Sequence, residues 1–256
     1  AAEPHERCAT ATASRLGTLR ALASRAPPDR QAVVKMTNNA FLPEPLPSDP
    51  MPLFEAWFAE ARTRALQPNP NSMALATVDS QGRPTVRIVL LKELVVSPGY
   101  AVFFTNYRSH KARDLDARSY ASAVLHWDHL GRQVRVSGPV LKSPDAESDA
   151  YFASRPLQSR IGAWASQQSE PLASRAALAQ QVSEACQRFG VAPGAVSGQV
   201  PRPPHWGGFR LWIEQLEMWI EGPGRVHDRA LWRRELTRYE PETYETGPWT
   251  ATRLNP

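Results

Sequence analysis

The chain has 256 residues, 42% of them hydrophobic, and 30 Lys and Arg against 25 Asp and Glu, which is enough to bury one real core as a single domain. No run of eighteen apolar residues offers a membrane span, and Cys8 and Cys186 are too far apart to suggest a metal site or a disulfide framework, so a reducing, cytoplasmic setting without metal is expected. The net charge of +5 does not point to nucleic acid: residues 1–35 hold six basic and three acidic residues, leaving a near-balanced remainder, whereas a nucleic-acid protein concentrates charge on its folded face.

Residues 1–45 are rich in Ala, Ser, Arg and Pro without a sustained amphipathic period, and read as a disordered tail. An organelle transit peptide in residues 1–35, or a native start at Met36, are open alternatives. The folded domain is expected over 46–256. Ser48-Asp49-Pro50 signals a helix start. Leu53, Phe54, Trp57, Phe58 and Ala61 then recur at helical spacing, until Pro68-Asn69-Pro70-Asn71 ends the helix.

From Met73 the period changes to that of strands: 73–79, a turn at Ser80-Gln81-Gly82, then 85–92, 100–105, 121–127 and 133–141, with one short helix over 109–118. A helical section follows over 145–154 and 174–189, the second helix turning Ala177, Leu178, Val182, Ala185 and Phe189 toward one face. Residues 191–204 form a Pro/Gly loop, and 209–219 reads as one strand. The fold class expected is α+β: mostly antiparallel strands in a small barrel, with helices packed outside.

The chemistry concentrates near the C-terminus. Arg225, His227 and Arg229 alternate after a Pro223-Gly224 turn, and in a strand they share one face. Such a row suits an anionic, planar ligand, because guanidinium pairs with oxyanions and stacks on rings. Arg87 and Lys92 are five apart, so a regular strand sends them to opposite sides, which fits two anionic groups better than one. Tyr151, Arg155 and Ser159 stand at i, i+4 and i+8, on one helical face if the helix persists. Pro156 argues that it ends near Arg155 and that the next turn donates Ser159.

Five segments in order carry a family resemblance: Arg87-Ile88-Val89-Leu90-Leu91-Lys92, Phe103-Phe104-Thr105-Asn106, Arg132-Gln133-Val134-Arg135-Val136, the stretch from Tyr151 to Ser169, and Trp219 with the basic row. From about Leu46 to Pro256 the chain resembles the pyridoxamine 5'-phosphate oxidases. The resemblance implies an FMN-binding split barrel working as a homodimer, with FMN in the subunit interface. It implies FMN contacts from Arg87, Ile88, Val89, Leu90, Lys92, Phe104, Thr105, His110, Lys111, Gln133, Gln168, Ser169, Trp219 and Arg229. Lys92, Tyr151, Arg155 and Ser159 would take the substrate phosphate, while Arg225 and His227 would lie at the substrate ring as catalytic residues.

The implied reaction oxidises pyridoxamine or pyridoxine 5'-phosphate to pyridoxal 5'-phosphate. A hydride passes from C4' to flavin N5, and dioxygen reoxidises the flavin to give hydrogen peroxide. The chain departs from the family pattern at three places. His110 stands where an arginine usually precedes the phosphate-binding lysine, Ile220-Glu221 replaces Gln-Gly after Trp219, and no segment before Leu46 matches the family's N-terminal lid. These departures keep two alternatives in view: a related flavin oxidase acting on a phenazine-type metabolite, and a non-catalytic binder of FMN or pyridoxal phosphate.

Overall fold

The structure, a computed structural model, describes residues 41–192 and 194–256. The expected tail therefore lies mostly outside the described residues. Its last part does not: Leu42 is buried, and its amide donates to Asp228 Oδ2 at 2.6 Å.

The first helix, α1 (Met51–Arg64), starts where Asp49 Oδ1 accepts the Met51 amide, and ends at Ala65 in a left-handed conformation. Its buried face is Phe54, Trp57, Phe58 and Ala61, and each large side chain removed from water there contributes about 1.5–3 kcal/mol. Then come β1 (Ser72–Val78), β2 (Pro84–Leu90), β3 (Glu93–Val95), β4 (Tyr100–Asn106), α2 (His110–Ala117), β5 (Tyr120–Trp127) and β6 (Arg132–Lys142). Helices α3 (Asp145–Ser154), α4 (Leu157–Ala165) and α5 (Arg175–Arg188) follow. The chain returns to strands with β7 (Trp206–Trp212), β8 (Gln215–Ile220), β9 (Asp228–Arg233), β10 (Leu236–Glu240), β11 (Thr243–Thr246) and β12 (Thr250–Leu254).

Ten strands form one antiparallel sheet whose main path runs β12-β9-β8-β6-β5-β1-β2, while β10 and β11 pair separately. Strand β6 makes the sheet curl: residues 132–137 pair with β8, and residues 140–142 pair with β7, which continues to β4 and β3. The handover falls at Gly138, where a Cβ would stand 1.9 Å from the Trp212 carbonyl oxygen, so only glycine permits that approach. The main core fills the curl, with Met73, Leu75, Phe103, Trp127, Leu211 and Trp232 packed against α1. This is the expected α+β architecture of antiparallel strands with helices outside.

Several expectations are corrected. Residues 209–219 are not one strand, because the chain turns at Ile213-Glu214, where the Glu214 amide donates to Ser137 O and its carbonyl accepts from the Arg234 amide. Helix α4 was not anticipated, and it builds a satellite core from Leu157, Ile161 and Ala165 with Ala185 of α5. On α5, Leu178 faces solvent at 39% exposure instead of joining that core. The strand expected to carry Arg225 begins only at Asp228. Arg225 lies in a short 3-10 turn with φ +67, so it is not in strand alternation with His227 and Arg229.

Candidate functional site

A cleft of about 1080 Å³ opens between β2, β4, the start of α2, the α3–α4 junction and the segment after α4. Two cationic clusters line it. In the first, Arg87 reaches from β2 to Thr77 Oγ1 and Thr85 Oγ1, at 2.6 Å each. Both hydroxyls donate to Asp114 Oδ2, at 2.6 and 3.0 Å. Thr77 and Thr85 face each other across the β1–β2 ladder, so the hairpin itself builds this bracket for the guanidinium.

Lys111, in the first turn of α2, is 7% exposed, and its Nζ donates to Thr105 Oγ1 and Ser109 Oγ at 3.1 and 3.2 Å. Neither partner is an anion. Burial first, and the nearby Arg87 charge second, pull the ammonium down to about 8, with Asp114 opposing. The cluster thus holds two cations and one carboxylate, with Gln168 and Ser169 at its edge. Thr105 Oγ1 lies 3.3 Å from Gln168 Oε1, and the His110 amide donates to Ser169 Oγ at 3.3 Å. Ser169 is held at φ +74, a strained backbone for a residue with a Cβ. An anion is what this cluster lacks in charge, and the phosphate of FMN fits it: forked and ammonium donors, hydroxyls, and a helix N-terminus in one place.

The second cluster is formed by Lys92, Tyr151, Arg155 and Ser159, all on the cleft wall. Lys92 Nζ lies 5.5 Å from the Tyr151 ring centroid, and Tyr151 stacks on Phe104 at 4.0 Å. The Arg155 guanidinium stands 4.5 Å over Trp206 and 5.5 Å from Phe152. Its Nη1 is buried without a hydrogen-bond partner, and burial pushes the group below its ordinary range. A partly desolvated guanidinium with no carboxylate beside it among the described residues is a second place that calls for an oxyanion.

The structure brings the Tyr151, Arg155 and Ser159 trio together, though not on one helix. Arg155 is the extended C-cap of α3, and Ser159 lies in the first turn of α4. Lys92 lies beyond the end of β2, its amide donating to Val102 O, so strand alternation does not relate it to Arg87. Both residues face one cleft, in different clusters. Ile88, Val89, Leu90, Phe104, Thr105, His110, Gln168 and Ser169 line it too.

A further set stands elsewhere, since Gln133, Trp219, Arg225, His227 and Arg229 are not among the cleft-lining residues. Gln133 faces Trp219 across β6–β8, and Trp219 faces Arg229 across β8–β9, giving one row over three strands. The His227 ring lies 4.5 Å from Trp219, and its Nδ1 accepts the Gly222 amide at 3.2 Å. That bond leaves Nε2 to carry the proton of the neutral ring.

Sequence reasoning missed two supporting groups. Glu217, 3% exposed, accepts two bonds from Arg229 and one from Arg135, fixing the end of the row. The Thr77, Thr85 and Asp114 bracket was also missed. Its signal was present, since both threonines sit at matched distances from the Ser80-Gln81-Gly82 turn.

The sequence and the fold match known proteins. A family model described as pyridoxamine 5'-phosphate oxidase matches residues 59–188, and a second, described as the pyridoxine 5'-phosphate oxidase C-terminal dimerisation region, matches residues 206–256. The chain belongs to the pyridoxamine 5'-phosphate oxidase family. Family members are FMN-dependent oxidoreductases, and so is this enzyme.

Among relatives named pyridoxine/pyridoxamine 5'-phosphate oxidase, one from Roseobacter denitrificans is 47% identical over 208 residues, covering 81% of this chain and 94% of its own. One from Ralstonia nicotianae, named pyridoxine/pyridoxamine 5'-phosphate oxidase 1, is 50% identical over 210 residues, covering 81% and 90%. A solved structure of PhzG from Burkholderia lata, in complex with tetrahydrophenazine-1-carboxylic acid, is 30% identical with a TM-score of 0.68, covering 82% of this chain and 94% of that one. A pyridoxamine 5'-phosphate oxidase-related, FMN-binding protein from Nostoc punctiforme shares the fold at 16% identity and a TM-score of 0.59, covering 82% and 100%.

Proposed function

We propose that this chain oxidises pyridoxamine and pyridoxine 5'-phosphate to pyridoxal 5'-phosphate with FMN and dioxygen. The observation that carries the reading is the pair of cationic clusters on one cleft, each short of an anion: one phosphate for the cofactor and one for the substrate. Arg87, Lys111, Gln168 and Ser169 hold the FMN phosphate and its polyol chain, with the α2 N-terminus behind them. Lys92, Tyr151, Arg155 and Ser159 hold the substrate phosphate. When bound, FMN supplies the two-electron acceptor that dioxygen regenerates with release of hydrogen peroxide.

The protein's part is then positioning. The Phe104, Tyr151 and Trp206 rings stack against one another beside Arg155 and stiffen the substrate pole. Gln133, Trp219 and Arg229 present a planar, hydrogen-bonding row for a ring system, and His227 offers an Nε2 proton next to it.

The row and the cleft are separate surfaces of one chain, and a homodimer is the arrangement that unites them. Val86 and Ile88 on β2 are 68% and 65% exposed beside the cleft, an apolar edge suited to a partner subunit. Trp219, His227 and Arg229 lie within the region that matches the dimerisation model. In this reading each active site takes its phosphate clusters from one protomer and its aromatic row from the other.

The likeness to PhzG favours a second reading, oxidation of a phenazine precursor. Lys92, Tyr151, Arg155 and Ser159 argue against it, because an unphosphorylated ring has no dianion for them. Incubation of the FMN-loaded protein with pyridoxamine 5'-phosphate in air tests the reading. One pyridoxal 5'-phosphate and one hydrogen peroxide per oxygen consumed are expected. Turnover of a dihydrophenazine carboxylate alone would replace this reading with the second.

A further inference from the structure

Helix α4 contains one residue that its own packing does not require. Gly162 lies inside the helix, half-buried on the cleft wall, with a backbone open to any L-residue. A Cβ built on it meets no atom within 4 Å. The contrast is Gly138 or Gly222, where a Cβ would run into a backbone oxygen at 1.9 or 1.8 Å. Glycine is the poorest ordinary choice for a helix interior, so neither crowding nor helix formation accounts for it.

Its position supplies a reason. Ser159, one turn earlier, belongs to the second cationic cluster, and Ser166, one turn later, lines the cleft beside Gln168. The adjoining face of the helix is anchored by Leu157, Ile161 and Ala165 in the satellite core, so the helix cannot roll to turn a larger side chain away. We propose that Gly162 is a specificity-determining position, whose missing side chain keeps clear the space taken by the ring of the phosphorylated substrate. The proposal rests on the functional reading above and adds the residue that sets how large a ring the second cluster admits.

Two variants test it on the full chain. Gly162→Ala should raise the melting temperature of the FMN-free protein by about 2–4 °C, as expected for a helix-favouring change in a domain of this size. Gly162→Leu, FMN-loaded, should bind pyridoxal 5'-phosphate about tenfold or more weakly in equilibrium dialysis, with FMN affinity and dimer size as in the parent. A lower melting temperature for Gly162→Ala would show that packing demands the glycine. Parent-like pyridoxal 5'-phosphate binding by Gly162→Leu would equally overturn the proposal, as would loosened FMN or a dissociated dimer in its place. If the parent protein itself fails to bind pyridoxal 5'-phosphate, the functional reading falls first and takes this proposal with it.

Discussion

Replacing Arg155 by methionine separates the substrate pole from the cofactor pole. The guanidinium is partly desolvated over Trp206 and, among the described residues, its buried Nη1 has no partner and it faces no carboxylate. Methionine keeps much of the volume against Phe152 and Trp206 while deleting the charge. In the ligand-free protein the change removes a poorly solvated cation, so stability should hold or rise, aside from a lost cation–π contact of about 0.5–2 kcal/mol. With phosphorylated substrate bound, it removes a charge-assisted bond of about 1.5–3 kcal/mol, a factor of about ten to a hundred in affinity. Steady-state kinetics on pyridoxamine 5'-phosphate should therefore show KM up by that factor, with FMN affinity unchanged. Dephosphorylated pyridoxamine, which has nothing for Arg155 to hold, should be affected little. An unchanged KM for the phosphate ester, or an equal loss for both substrates, would refute the assignment of this cluster to a phosphate.

The remaining predictions concern the other pole and the fold. His110→Arg adds a permanent charge and a fork where the cleft meets Ser169 and Glu170, and should tighten FMN by about tenfold or more in fluorescence titration; equal affinities would show that His110 does not face the phosphate. Lys111 loses its proton near pH 8 in the ligand-free protein. FMN should therefore bind about tenfold more weakly per pH unit above that value, and Lys111→Met should abolish the dependence. For folding the sign is opposite: between about pH 8 and 10.5 the unfolded chain keeps a proton that the folded one has lost, so this group makes the ligand-free protein more stable as pH rises through that window. A urea-denaturation series across it that slopes downward, and is unaltered by Lys111→Met, would contradict the assignment. Gly138→Ala forces a Cβ against Trp212 O and should cost about 3 kcal/mol or more, read as a lower denaturation midpoint.

Much of the site was legible because its residues fall in short runs with fixed offsets. Arg87 to Leu90, Lys92, Thr105, Lys111 and the Gln168-Ser169 pair were named from sequence and share one cleft. What escaped was set by tertiary geometry. Helix α4 was masked by Pro156 before it and Gly162 within it, two residues that read as loop chemistry. Its apolar spacing at Leu157, Ile161 and Ala165 becomes meaningful only against α5.

Arg225 was placed in a strand because alternation alone carries no information about a left-handed residue. The break between β7 and β8 has neither Gly nor Pro to announce it. It is made by backbone bonds from Glu214 to Ser137 and Arg234, remote in sequence. The buried Glu217 under Arg135 and Arg229 was invisible for the same reason: its partners lie on strands to either side.

The central claim is that this cleft carries out flavin-dependent oxidation of a phosphorylated B6 vitamer. An anaerobic titration tests it most directly: the protein is loaded with FMN, pyridoxamine 5'-phosphate is added, and flavin absorbance is followed before and after air is admitted. Bleaching of the flavin, with colour restored by oxygen, is the predicted result. Flavin that stays bound and stays oxidised in the presence of saturating pyridoxamine 5'-phosphate would contradict the account.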